Sequence, residues 1–243
     1  MALTIRRNVL TLICADLDAR PLFWTETDRR RQGYEPEIAA KVASMLNLEL
    51  EWKFLRWSDF VPELLTRSAD AIWCGSAITP EREKQMLFSE PYALFNESVL
   101  VRCEDRIQSP ADLRGRPVGA ITGSTNMKLA QQWPDVSCIG FDGASDDVFA
   151  DMINALRAGD IDAVVDDEPA FGGILSEQEF TLAFTVATEN WWGAAMHPDS
   201  TGLKQLLDQA LSELKKAGEI ESSWKAWLDD IELPESLSAN STR

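Results

Sequence analysis

A short segment that occurs twice constrains the fold of this chain more than any other feature. Leu64 to Ile72 runs from a helix end through a two-residue gap into Asp70-Ala71-Ile72. Leu156 to Val164 repeats that course into Asp162-Ala163-Val164 at the same offsets. Strand and helix patterns alternate around each copy. Residues 9–15 read as a strand, and a helix over about 35–46 places Ile38, Val42, Met45 and Leu46 on one face. Asn47 ends it, and Leu48, Leu50, Trp52 and Phe54 alternate with Glu49, Glu51 and Lys53, a period-2 strand. A helix over 58–66 tolerates Pro62 near its first turn, where a missing N–H costs little. A strand over 69–74 follows. Strands joined through helices of this length predict right-handed crossovers and a largely parallel sheet.

The pattern restarts after residue 105. Ser109-Pro110-Ala111-Asp112 opens a short helix with Pro at its first position. A strand over 118–121 leads through Thr122-Gly123-Ser124-Thr125 into a helix. A strand over 138–141 leads to a helix that buries Val148, Phe149, Met152, Ile153 and Leu156. Gly159 ends that helix, and a strand over 161–165 follows. The chain closes with a strand over 192–196 and a helix burying Leu203, Leu206, Leu207, Ala210, Leu211 and Leu214. A second helix carries Ile220, Trp224, Trp227 and Leu228, and a tail from Pro234 is expected to fray. Ligands of open α/β sheets collect at the carboxyl ends of strands. Two such polar ends facing across a cleft predict a small-molecule site.

One strand end carries particular chemistry. Trp73-Cys74-Gly75-Ser76-Ala77-Ile78-Thr79-Pro80-Glu81-Arg82 places small residues, with open backbone N–H and C=O groups, shortly before an arginine. Its planar, permanently charged fork suits a carboxylate. Such a turn can grip the main-chain end of an amino acid.

Other classes are disfavoured. A net charge of -17 argues against nucleic acid, whose phosphates need Lys and Arg, and against anionic membrane surfaces. Cys14, Cys74, Cys103 and Cys138 form no CxxC pair and read as small buried hydrophobes, with one disulfide left open. The sole histidine, His197, stands in a His-Pro-Asp turn, so a histidine triad or His-rich metal site has no basis. No metal or cofactor is expected. The segment Met1 to Cys14, with Arg6-Arg7 before a short apolar run, faintly imitates a lipoprotein signal. That run falls below the roughly 7–15 residues an h-region needs, so a first core strand is the reading and no export signal is expected.

The chain resembles the family 3 (amino-acid type) extracellular solute-binding proteins of ABC importers over roughly residues 9–229. The segments that carry the likeness are Gly33-Tyr34-Glu35-Pro36-Glu37-Ile38-Ala39, Trp57 with Val61-Pro62-Glu63-Leu64, Gly75 through Arg82, and Phe88-Ser89-Glu90-Pro91-Tyr92. Asp112-Leu113-Arg114-Gly115, Gly123-Ser124-Thr125, Asp162 through Pro169 and Trp192-Gly193 continue it in order. The resemblance implies a two-lobed, type II periplasmic-binding-protein-like α/β fold. Each lobe is a mostly parallel sheet flanked by helices, and two hinge strands near Glu97–Arg102 and Thr188–Ala194 join them. Lobe 1 would then hold residues 1–99 and 192–243, and lobe 2 residues 100–191. It further implies a monomer, capture of a free amino acid or analogue by lobe closure, ABC permease subunits as partners, and a periplasmic or cell-surface location. Without an export signal, a cytoplasmic location is the alternative.

The resemblance also assigns ligand residues. Arg82 would clamp the α-carboxylate, and the backbone N–H groups of Ala77 and Thr125, beside Ser124, would complete its cage. Asp167, with the Gly75 carbonyl, would neutralise the α-ammonium, and Trp57 would form an aromatic platform. Each has a plainer reading: a surface arginine, a helix-capping aspartate, a core tryptophan. Asp166 can exchange roles with Asp167, and either Asp16 or Asp18 lines the pocket entrance, where Asp16 through Phe23 fits the family pattern loosely. Ala77 stands where the family carries Ser or Thr, forgoing a hydrogen bond worth roughly 1.5–3 kcal/mol to a charged group. Trp191-Trp192 is bulky for the second hinge and is expected to cover the cleft. Two other functions compete: a cyclohexadienyl (prephenate) dehydratase on the same fold, with Glu168 or Asp142 as acid, and a ligand-sensing module without a transport role.

Overall fold

The computed structural model describes residues 3–239; Met1, Ala2 and residues 240–243 lie outside the described residues. In chain order the elements are β1 (Val9–Cys14), β2 (Trp24–Thr25), β3 (Arg31–Gln32), α1 (Tyr34–Met45), β4 (Glu49–Phe54), α2 (Phe60–Leu65), β5 (Ala71–Ile72), α3 (Pro80–Glu83) and β6 (Leu87–Phe88). Strand β7 (Ala93–Arg102) leads to β8 (Pro117–Ile121), α4 (Thr125–Ala130), β9 (Ser137–Phe141), α5 (Val148–Ala158), β10 (Ala163–Asp167) and α6 (Gly172–Leu175). Strand β11 (Phe180–Trp192) leads to β12 (Ala195–Met196), α7 (Thr201–Lys216) and α8 (Glu219–Trp227). The chain divides into two compact units. One holds Met1–Asp16, Leu22–Leu94 and Asn190–Arg243; the other holds Leu17–Pro21 and Phe95–Glu189.

In the first unit the sheet order is β4-β1-β5-β12-β6. Strand β1 runs parallel to β4, from Val9 opposite Glu49 to Cys14 opposite Phe54, and parallel to β5. Strand β12 is antiparallel to β5 and β6. All six β1 residues are buried, as a central parallel strand covered on both faces requires, whereas β4 exposes Glu49 and Glu51 along an edge. Helix α7 buries Leu203, Leu207, Ala210, Leu211 and Leu214, while Leu206 is only half-buried. Met45 is exposed because α1 turns that side outward at its last residue. Helix α8 is tied to α1 through Glu37, which accepts from Ser223 Oγ at 2.6 Å and Trp227 Nε1 at 2.6 Å. The tail does not fray at Pro234: residues Glu235–Leu237 form a 3-10 turn that buries Leu237.

The second unit is a sheet of order β11-β7-β10-β8-β9, parallel between β10 and β8 and between β8 and β9, antiparallel between β10 and β7. Val148, Phe149, Met152, Ile153 and Leu156 of α5 are all buried, as the helical spacing predicts. The expected strand over 192–196 is corrected: Trp192 ends the 13-residue β11, and Gly193 and Ala194 separate it from β12. Gly193 donates to Ser76 O at 3.2 Å, and a side chain there would meet the Ser89 carbonyl at 3.0 Å.

The repeated segment is structurally real. Arg67 and Gly159, each three residues after the matching leucine, both adopt left-handed backbone (φ 59° and 81°), and each donates its N–H to that leucine's carbonyl. The two following aspartates tie down neighbouring chain. Asp70 accepts the Ile5 and Thr11 N–H groups at 2.7 and 2.8 Å, and Asp162 accepts Arg102 Nη2 at 2.7 Å. The cysteine reading needs correction: all four thiols are free, and Cys103 is exposed because it lies in the turn beyond β7.

Candidate functional site

In the first unit, the residues after β5 form a tight turn whose shape is set by a buried carboxylate. Glu35, in the first turn of α1 and 1% exposed, accepts the Gly75 N–H at 2.9 Å and the Tyr92 hydroxyl at 2.5 Å. Tyr34 donates to the Tyr92 carbonyl at 2.5 Å, and the Tyr92 ring stacks on Trp73 with centroids 4.7 Å apart. Burial pushes the Glu35 carboxyl above its ordinary value, opposed by the Tyr92 hydroxyl and the Gly75 N–H. Gly75 itself is left-handed (φ 57°), and a Cβ there would press on the Trp192 ring at 3.3 Å. Trp192 is thus a buried support of the turn, bridged to Ala77.

Arg82 joins this turn directly. Thr79 caps α3 by accepting the Arg82 N–H at 3.2 Å, and Arg82 Nη1 donates to Ala77 O at 3.0 Å, which orients the guanidinium along the turn. The Gly75 carbonyl accepts the Ala77 N–H at 3.1 Å. A ligand acceptor at Ala77 therefore shares or replaces that bond, whereas the carbonyl keeps a second lone pair. Trp57 is half-buried in a 3-10 turn (Trp57–Asp59) beyond the carboxyl end of β4. Asp16 follows the carboxyl end of β1, is largely exposed, and pairs with Arg29 at 3.6 Å. Asp18 is counted with the second unit and lies 3.4 Å from Arg20.

In the second unit, Ser124 caps α4: its Oγ accepts the Met127 N–H at 3.0 Å, and its own N–H donates to Ile121 O. Thr125 is the first helical residue, and its hydroxyl lies 2.9 Å from Asn126 Oδ1. Asn126 Nδ2 donates to Asp166 Oδ1 at 2.8 Å, and the Asp167 N–H reaches the same oxygen at 2.8 Å. This set joins α4 to the carboxyl end of β10. Asp166 is pushed up to about 7, chiefly by burial and further by the Glu97 carboxylate. Glu97 is 2% exposed and lies opposite Asp167 in the β7–β10 register. Asp167 begins a 3-10 turn (Glu168–Phe171), but its side chain makes no capping bond. Burial also raises the Glu168 carboxyl. Among the described residues no three His, Cys, Asp or Glu side chains group as metal ligands.

The structure thus brings Arg82, Gly75 and Ala77 together in one unit, and Ser124 and Thr125 together with Asp166 and Asp167 in the other. Sequence reading assigned no supporting role to Glu35, Tyr92 or Asn126, and it expected Trp192 over the cleft, whereas Trp192 packs beneath the Gly75 turn. Glu35, Tyr92 and Trp192 all lie in the segments that carry the family resemblance; Asn126 left no such signal.

The family model for bacterial extracellular solute-binding proteins, family 3, matches residues 12–230. The chain belongs to this family. As a family 3 member it is 28% identical over 202 residues to ABC transporter arginine-binding protein 1 of Escherichia coli (strain K12), covering 80% of this chain and 81% of that protein. Among solved structures it resembles a variant of ArgBP from T. maritima, with 25% identity, a TM-score of 0.81, and coverage of 91% of this chain and 96% of that one. An ancestral arginine-binding protein bound to glutamine gives 25% identity, a TM-score of 0.83, and coverage of 92% and 99%. The two-unit α/β architecture described above is therefore the family's own fold.

Proposed function

We propose that this family 3 protein is the substrate-binding component of an ABC importer and that its ligand is a free amino acid or close analogue. The observation that carries the reading is the Arg82–Ala77 bond at 3.0 Å, which holds a guanidinium along a turn of small residues. Arg82 takes the ligand carboxylate there. Asp167 takes the ammonium, and Asp166 does not, because its carboxylate already answers Asn126 and the Asp167 N–H. Thr125 offers a helix-start N–H to the carboxylate, and Ser124 acts through the cap that fixes it. Trp57 covers the ligand side chain. The names of the relatives support an amino-acid cargo, since one is an arginine-binding protein and another was solved with glutamine. We read the protein as a monomeric, non-catalytic receptor working outside the cytoplasm. We take lobe 1 as residues 1–99 with 192–243 and lobe 2 as 100–191; the changes of compact unit at 94/95 in β7 and 189/190 in β11 support this division, while Leu17–Pro21 group with the second unit.

A thermal-shift screen tests this. Because a ligand that binds only the folded state raises its apparent stability by mass action, at least one of the twenty amino acids should raise Tm, and its decarboxylated and N-acetylated relatives should not. A full set of flat responses, or turnover of prephenate by the purified protein, would replace the reading.

A further inference from the structure

We infer that Arg31 is a specificity-determining residue that presents the side-on edge of its guanidinium to a second carboxylate, so that the ligand is an acidic amino acid. The inference rests on the amino-acid reading above and names the side chain that reading leaves open. Arg31 sits on β3, opposite Thr25 of β2. Its Cζ lies 4.6 Å from the Phe23 ring centroid, 5.3 Å from Trp52 and 5.5 Å from Phe54. Three aromatic faces hold the cation and offset part of its lost hydration.

The hydrogen bonds are lopsided. Nη1 reaches Thr25 Oγ1 at 3.4 Å, yet Nε and Nη2 are buried with no hydrogen-bond partner among the described residues. Those two nitrogens form the parallel edge that matches a carboxylate in two-point fashion. Leaving a buried donor unmet is unfavourable, more so when it is charged. A stacked, pre-oriented edge with both donors unmet therefore fits an acceptor supplied from outside the chain.

The neighbours point the same way. A second guanidinium, Arg29, lies 5.1 Å from the Phe54 ring and pairs with Asp16 at 3.6 Å. Asp16, one of the two acids read at the pocket entrance, thus already faces a cation of the chain. Phe54 ends β4, and the Gly75 turn follows β5 with β1 between them, two strand spacings or about 10 Å across. The electrostatic reach of Arg31 includes Glu35, the carboxylate that holds Gly75. A lysine or arginine side chain would meet like charge here, in contrast to the cargo named for the relatives.

Calorimetric titration of the full chain with L-glutamate, L-aspartate and L-arginine tests the assignment. Glutamate or aspartate should bind about tenfold or more tighter than arginine. Arg31→Met should weaken the acidic ligand about ten- to a hundredfold, the loss expected for hydrogen bonds between charged groups. Arg31→Lys keeps the charge but lacks the planar edge, so it should fall between the two. It also supplies the reading if the methionine variant does not fold. Arginine binding as tightly as glutamate, or a glutamate-to-arginine ratio unchanged in folded Arg31→Met or Arg31→Lys protein, overturns the inference. If an amino acid binds and Arg82→Ala abolishes it while that ratio stays fixed, only the role of Arg31 falls. If no amino acid binds, both readings fall.

Discussion

Glu35 carries two jobs that pull its protonation in opposite directions. Its burial favours the neutral acid, while the Gly75 N–H and Tyr92 hydroxyl that it accepts favour the carboxylate. Replacing Glu35 by alanine leaves both donors without their acceptor and should cost roughly 2–4 kcal/mol in urea unfolding. Glu35→Gln keeps one acceptor oxygen and removes the titration. Because the folded pKa is raised above the ordinary 4.5, the wild type is favoured most below that value and loses stability as pH rises through the folded pKa. The stability difference between Glu35→Gln and wild type should therefore move in favour of glutamine as pH increases across that window. A difference independent of pH would show that folding does not raise the Glu35 pKa.

At the level of elements, the repeated helix–turn–strand unit offers a matched pair of experiments. Gly159 and Arg67 hold the same left-handed position, one with the residue suited to it and one without. Gly159→Ala should cost about 1 kcal/mol by forcing a Cβ into that conformation. Arg67→Gly should be close to neutral, because relief of the same strain is offset by loss of the exposed Arg67–Asp199 pair at 2.9 Å and by a more flexible unfolded chain. Equal losses at both sites in thermal unfolding would mean that backbone strain is not what distinguishes them. Strand β10 carries a second test. Asp166 is raised from 3.8 to about 7, so its contribution to stability is complete below 3.8 and declines as pH rises through about 7. Asp166→Asn should flatten that decline in urea melts taken across the window.

These elements also mark how far residue patterns alone can reach. The α5 face was legible from its helical apolar period, and the central β1 strand from its short, nearly unbroken apolar run. Strand β11 was not, since its alternation is broken by Thr181, Thr185 and Thr188 and reads as a solvated loop as much as an edge strand. At the site, Arg82 and the Gly75 turn could be read because they lie within one short segment. Glu35, Arg31 and Glu97 could not, because their partners are distant in sequence and only the sheet order brings them together.

For the molecule as a whole, family membership and fold leave the cargo to the side chains. A net charge of -17 spreads acid over the chain, yet Arg29, Arg31 and Arg82 all belong to the first unit's candidate ligand residues or their neighbours. That contrast is what an anion-receiving unit needs. The central claim is that Arg82 receives the carboxylate of an amino-acid ligand. Isothermal titration of wild type and Arg82→Ala with the strongest ligand from the thermal-shift screen tests it most directly. A loss of about 3–5 kcal/mol in binding, from leaving a buried ligand charge without its partner, is predicted for a variant that keeps the wild-type fold. Unchanged affinity in that folded variant would contradict it.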